Sequence, residues 1–232
     1  MIAPTPPAPQ KILTWAEVAA LDPIWLNLGG KSHCHPHPQY QGYVAVDLRP
    51  GNGWCVVHDL TRPIPLPANS VDRIHSEDFF HYLTRPQMVA ILRECHRLLK
   101  PGCRLRLCVP DYGNPKNRHA LALGKDPDYP LHLVLTDIDE MKSILAETPF
   151  THLEFLHYWE GDTFVEHPID LGLGMVQRTP DTDPRNRRTN WRWKFRNALF
   201  RLSHGWKLSN LDRCFLRGYR LHVTSLVVDC IK

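Results

Sequence analysis

Short apolar runs separated by turn-forming residues set the rhythm of the first half of this chain. Ile24–Leu28 stops at Gly29-Gly30, Tyr43–Asp47 ends on an acid, and Trp54–Val57 stops at His58-Asp59. Such brief runs, bounded by glycine, asparagine or aspartate, predict buried strands. Pro63, Pro65 and Pro67 then forbid regular structure, because proline fixes φ and has no N–H to donate. Asn69-Ser70 turns the chain into Val71–His75, a predicted central strand with Ser76, Glu77 and Asp78 at its end. There the period changes. Met88, Ile91, Leu92, Cys95, Leu98 and Leu99 recur at helical spacing behind the capping box of Thr84 and Gln87. Lys100-Pro101-Gly102 stops that helix, Cys103–Val109 alternates as a strand, and Pro110-Asp111 closes it.

The flanking segments are less regular. Residues 1–10, with four prolines, are expected to be a disordered tail, and Lys11–Asp22 a short helix with Thr14 and Glu17 as its capping box. Lys31–Gln41 and residues 112–135 lack periodicity and are expected to be loops. Thr136 is the expected cap of a helix running to about Glu147, with Ile138, Met141 and Leu145 on one face. His152–Trp159 and Leu221–Ile231 are expected to pair antiparallel at the sheet edge. The resulting division is a tail (1–10), a body (11–159 and 221–232), and an insertion or cap (160–220).

Composition narrows the class. At 43% hydrophobic and 22% charged, the 232 residues suit an ordinary globular core, and no run of about 18 apolar residues is present. An odd number of cysteines, seven, together with the proline-rich start, suggests reduced thiols and a cytoplasmic protein. Charge is uneven. Residues 185–232 carry 12 Lys and Arg against 2 Asp and Glu, whereas the preceding 184 residues carry 16 against 22. A basic segment behind an acidic body points to an anionic partner for Arg185–Arg201 or to a solvated surface. Within it Trp191, Trp193 and Phe195 alternate with cations, a pattern suited to bases and phosphates or to an anionic membrane surface. Read as a helix, Trp191, Phe195, Ala198, Leu199 and Leu202 form an apolar stripe, and this amphipathic reading is preferred. His33, Cys34, His35 and His37 are zinc-type ligands, but their spacing is not that of a zinc finger and Pro36 and Pro38 hold the strip extended. No metal is assigned to it.

The order of these pieces resembles the class I S-adenosylmethionine-dependent methyltransferases, nearest a small bacterial group of them. The resemblance is carried by LNLGG (Leu26–Gly30), Tyr43–Leu48, His58–Leu83 and the Leu98–Asp111 stretch, and more loosely by Asp183–Asn186 and Thr224–Lys232. It implies an α/β, Rossmann-like fold: a mostly parallel seven-stranded sheet, an antiparallel C-terminal edge pair, and helices on both faces. It also implies S-adenosylmethionine as cofactor. Asn27, Leu28, Gly29 and Gly30 would wrap the methionine half, Asp47 with Leu48 would hold the ribose, and Asp59 with Leu60 would meet the adenine. Ser76, Glu77 and Asp78 would lie near the sulfonium and the acceptor. The loop departs from the usual Gly-x-Gly, reading Gly29-Gly30-Lys31-Ser32, and Arg104 and Arg106 stand on a strand expected to be buried.

Elementary chemistry agrees with these roles. Glycines let backbone N–H groups approach a ligand, and a carboxylate at a strand end accepts from a vicinal diol. Gly29-Gly30 with Asp47 would also suit a nicotinamide oxidoreductase, but the full G-x-G-x-x-G of that class is missing. A nucleic-acid or anionic-surface binding module built on a degenerate methyltransferase fold is the other alternative. An oxygen or nitrogen acceptor needs a base, and Asp111, His81 and His157 stand at or beyond strand ends. Asp78, Tyr112, Tyr158, Arg185 and Asn186 are the expected acceptor-binding residues, with a saccharide or other anionic molecule or polymer as the acceptor suggested by family analogy.

Overall fold

A computed structural model describes residues 10–30, 42–50, 53–115, 117–127, 129–170, 173 and 225–232. Nine strands form one sheet: β1 (Lys11–Ile12), β2 (Trp25–Leu28), β3 (Tyr43–Asp47), β4 (Trp54–Val57), β5 (Val71–Glu77), β6 (Leu99–Pro110), β7 (His152–Glu160), β8 (Thr163–Glu166) and β9 (Ser225–Ile231). Their order is β1-β4-β3-β2-β5-β6-β9-β7-β8. From β1 to β6 every pairing is parallel. β9 inserts antiparallel between β6 and β7, and the β7–β8 hairpin forms the far edge. Strands β2 to β4 are laid down towards one edge and β5 to β6 towards the other, so the carboxyl ends of β2 and β5 flank the switch point where open α/β sheets bind ligands.

The expected antiparallel pairing of His152–Trp159 with the C-terminal strand is present, together with two further short strands. β1 is one of them: Lys11 and Ile12 pair with Trp54 and Cys55, so the N-terminal helix shrinks to α1 (Trp15–Ala19). Thr14 still caps it, reciprocally with Glu17. The other is β8, which takes up the first residues of the expected insertion; residues 174–224 lie outside the described part.

α2 (Arg85–Leu98) starts at the Thr84–Gln87 capping box, with Pro86 in its first turn, where a missing N–H costs nothing. It ends where β6 begins, and Gly102 at φ 76° permits the turn there. α3 (Arg118–Leu123) is a short helix beyond β6. For α4 (Ile138–Ala146) the cap moves by one residue. Asp137 accepts from the Glu140 N–H, while the Thr136 hydroxyl donates to the Pro110 carbonyl and ties the segment to the end of β6.

One face of the sheet is apolar. Leu26, Leu28, Val44, Val46, Ile74, Leu105, Leu107 and Val228 pack with Val18 of α1, Met88, Leu92 and Cys95 of α2, and Met141 and Leu145 of α4. The alternate positions are different in character. Arg73, His75 and Glu77 on β5 stand in register with Arg104, Arg106 and Cys108 on β6, and Arg106 with Asp229 on β9. The arginines noted in the sequence have partners. Arg106, 1% exposed, donates through Nε and Nη2 to both oxygens of Asp229 at 2.7 and 2.8 Å, and through Nη1 to the Asp170 carbonyl at 2.7 Å. Arg104 reaches Asp229 at 3.1 Å and Glu154 at 3.4 Å. A planar guanidinium held this way keeps all its charge compensated in a dry site.

Candidate functional site

The carboxyl edge of β2, β3, β5 and β6 gathers most of the residues marked in the sequence. Gly29 follows β2 at φ 63°, and its N–H donates to the Val46 carbonyl at 2.9 Å. A Cβ there would meet the Phe79 ring at 2.3 Å, and one on Gly30 would meet the Asn27 side chain at 2.2 Å. Both positions therefore admit only glycine without rearrangement, which lets the Phe79 and Asn27 side chains lie directly on the backbone there. On the next strand Asp47 receives the Arg49 N–H on Oδ1 at 3.2 Å, and Leu48 beside it is 68% exposed. An acid next to an uncovered apolar side chain offers a polar and an apolar contact to one ligand.

Other expected cofactor residues support this edge from beneath. The Ser76 hydroxyl donates to the Leu28 carbonyl at 3.0 Å and locks β5 to β2. Glu77 ends β5 and accepts from the Cys108 thiol, and Asp78, at φ 59°, donates its N–H to the Cys108 carbonyl. Asp59 is engaged in its own turn: Oδ1 accepts from the Thr61 N–H and hydroxyl, which hold its carboxyl below the usual range. Leu60 is packed into the core.

Two of the three proposed bases brace the chain. Asp111 is fully buried, and its oxygens accept from the Gly113 N–H at 2.9 Å and the Trp159 N–H at 2.8 Å, joining β6 to β7. Burial pushes its carboxyl up to about 7. His157 sits at a bulge in β7 with Nε2 on the His167 carbonyl at 3.2 Å, and burial pulls it down to about 4. A carboxylate with both oxygens on backbone donors, or an imidazole on a backbone carbonyl, holds loops in place. Tyr158 likewise packs against the core near Phe155.

These two groups give opposite pH slopes. Asp111 binds its proton more tightly when folded, so its contribution is present below pH 4 and is lost as pH rises from about 4 to 7. His157 binds its proton less tightly, so its contribution is present above about 6.5 and is lost as pH falls towards 4. Urea midpoints measured across pH 4–7 should therefore rise more steeply with pH in Asp111→Asn than in the parent, and less steeply in His157→Gln. Unchanged slopes in both variants would refute the assignment.

His81 is buried in the 3-10 turn Phe80–Tyr82 after β5. Its ring centroid is 4.1 Å from that of His132, which stacks on Tyr129 at 5.0 Å. Tyr112, just beyond β6, donates its hydroxyl to Asp126 at 2.7 Å and lies 2.5 Å from His132 Nδ1. Sequence reading named His81 and Tyr112 but missed Asp126 and His132. They sit in an aperiodic stretch with no spacing signal, and only the fold brings them to the ends of β5 and β6. Arg185, Asn186, the Arg185–Arg201 segment and the His33–His37 loop lie outside the described residues. Among the described residues no helix is long and apolar enough to cross a membrane, and no His, Cys, Asp and Glu cluster suits a metal.

Comparison with known proteins agrees with this architecture. Residues 36–107 match the family model described as Methyltransferase domain. A SAM-dependent methyltransferase from Archaeoglobus fulgidus is 14% identical, covering 90% of this chain and 85% of its own, with a TM-score of 0.51. A phosphoethanolamine N-methyltransferase from Haemonchus contortus, solved with S-adenosyl-L-methionine, is 16% identical over 90% of this chain and 48% of its own, at a TM-score of 0.46. A SAM-dependent methyltransferase from Thermotoga maritima is 14% identical over 66% of this chain and 78% of its own, at 0.43. No curated protein matches the sequence. Residues 36–107 thus match a methyltransferase domain, and the sheet has the Rossmann-like architecture of the class I S-adenosylmethionine-dependent methyltransferase fold.

Proposed function

We propose that S-adenosylmethionine binds over the carboxyl ends of β2 and β3 and that a small hydroxyl- or amine-bearing acceptor enters beside β5 and β6. The observation that carries the first half is the glycine cradle. Gly29 and Gly30 let Phe79 and Asn27 pack directly against the backbone at the end of β2, with Asp47 one strand away. In this reading Asn27, Leu28, Gly29 and Gly30 hold the amino-acid part of the donor. Asp47 accepts from the ribose hydroxyls and Leu48 covers an apolar surface. Ser76 and Glu77 form the floor, and Asp59 and Leu60 shape the loop after β4.

The donor supplies a methyl group already activated on a sulfonium. The chain's task is then alignment, exclusion of water and removal of the acceptor's proton, and orientation alone is worth effective molarities of about 10⁵ M or more. On the acceptor side Tyr82, Leu131 and Leu133 are exposed around the buried His81 and His132, giving an apolar rim to a polar centre. The saccharide or anionic acceptor expected from the sequence draws on Arg185 and Asn186. It extends this reading to the basic segment, with residues 160–220 as a cap over the 11–159 and 221–232 body.

Calorimetric titration with S-adenosylmethionine, and separately with its demethylated product, tests the donor site. Both should bind, and Asp47→Ala should weaken binding about 10- to 100-fold, the loss expected for hydrogen bonds to a charged group. The Asp47 carboxylate bonds the neighbouring Arg49 N–H, and its ladder contacts are made by the backbone, so the variant should keep the parent's melting temperature. Parent-like affinity in that variant would move the donor elsewhere.

A further inference from the structure

We propose that Glu94 and Arg97 of α2 are positioning residues for the donor: together they fix the proline loop after β4, on which the adenine half of S-adenosylmethionine rests. The assignment depends on the donor reading above. Residues 58–70 belong to no strand or helix, and Pro63, Pro65 and Pro67 bring no N–H of their own. Backbone groups buried without a ladder still need partners. α2 supplies them. The Ile64 N–H donates to Glu94 Oε1 at 2.9 Å. Arg97 donates through Nη2 to the Ile64 carbonyl and through Nη1 to the Leu66 carbonyl, both at 3.0 Å. The buried side chains of Ile64 and Leu66 anchor the same stretch in the core.

Standing three residues apart on one helix, the two side chains also lock each other. Arg97 Nε donates to Glu94 Oε2 and Nη2 to Oε1, each at 2.7 Å. The fork thus uses Nε and both terminal nitrogens at once, a geometry that an ammonium cannot copy. The guanidinium holds the Glu94 carboxyl below its usual range, so both charges persist at neutral pH. From this clasp the path to the donor edge is short. Pro63 joins Ile64 to Arg62, whose carbonyl accepts from His58 Nε2 at 3.3 Å and whose N–H donates to the Asp59 carbonyl at 2.9 Å. Asp59 closes its turn on Thr61, and the His58 N–H donates to the carbonyl of Asp47, the acid assigned to the ribose, at 2.9 Å. Releasing Ile64 and Leu66 therefore frees the turn that carries Asp59 and Leu60. Global stability depends little on the clasp. Its side chains are 38% and 19% exposed, and α2 buries Met88, Ile91, Leu92 and Cys95 whatever Arg97 does. A partly exposed pair of this kind governs local opening rather than unfolding.

Arg97→Met removes the fork, and Arg93→Met is its control, because Arg93 stands on the same helix and reaches the Glu147 carbonyl instead. Hydrogen exchange of the full chain, read by mass spectrometry, should be about tenfold faster over residues 59–67 in Arg97→Met. Calorimetry should show the Kd for S-adenosylmethionine and for adenosine rising together, each by about tenfold, with the melting temperature within about 4 °C of the parent. Arg97→Lys should fall between, since an ammonium restores donors but not the fork. Arg93→Met should match the parent in exchange and in both affinities. Parent-like exchange in Arg97→Met, or faster exchange with unchanged affinities, would overturn the proposal. A parent that binds neither S-adenosylmethionine nor adenosine would instead refute the donor site itself, and the positioning role with it.

Discussion

Arg106→Ala should cost about 3–5 kcal/mol of folding stability, the loss expected when one partner of a buried ion pair is removed. The size follows from what remains. Asp229 is 1% exposed and would keep a carboxylate facing only Arg104, at 3.1 Å, in place of the two bonds at 2.7 and 2.8 Å from Arg106. The Asp170 carbonyl would lose its donor as well. Urea denaturation at pH 7 measures the effect. Arg106→Met combined with Asp229→Leu should recover most of it, because an apolar pair of similar volume leaves no charge unsolvated. A double variant no more stable than the single would show that the pair contributes net stability rather than only being costly to break.

Gly29→Ala should cost about 2–5 kcal/mol and abolish detectable donor binding. Two effects combine. The left-handed conformation at φ 63° costs a residue with a Cβ about 1–2 kcal/mol, and forcing that carbon to within 2.3 Å of Phe79 adds about 1–3 kcal/mol of overpacking. Repeating the substitution in a Phe79→Gly background separates them, since that change removes the Cβ and ring atoms at 2.3–2.4 Å and leaves the backbone cost. Thermal melts should show Gly29→Ala costing less in that background than in the parent, because the Cβ no longer meets the Phe79 side chain. An undiminished affinity in Gly29→Ala would remove the glycine cradle from the site.

Local patterns made much of the sheet legible. Each of β2 to β5 is a short apolar run bounded by a turn, and α2 announces itself by helical spacing between a capping box and Pro101-Gly102. What failed locally has a physical reason in each case. Lys11–Ile12 left its predicted helix because β4 offered an unpaired edge, and backbone groups take a ladder wherever one is available. Thr136 lost the cap to Asp137 because its hydroxyl met the Pro110 carbonyl, a partner 26 residues away. The site divides along the same line. Gly29, Gly30 and Asp47 owe their positions to strand ends, which periodicity marks, whereas the surroundings of Asp111 and His157 are assembled from β6, β7 and the chain after β8.

By itself, then, the sequence determined where β2 to β6 and the long helix lie, because these depend on neighbours a few residues apart, whereas the mostly parallel sheet was an implication of the family resemblance. Tertiary structure alone decided that Arg104 and Arg106 have carboxylate partners, that Asp111 braces two strands, and that Asp126 and His132 join Tyr112 beyond β6. Those outcomes depend on contacts between residues up to 125 apart, whose energies register and burial set and no local pattern encodes.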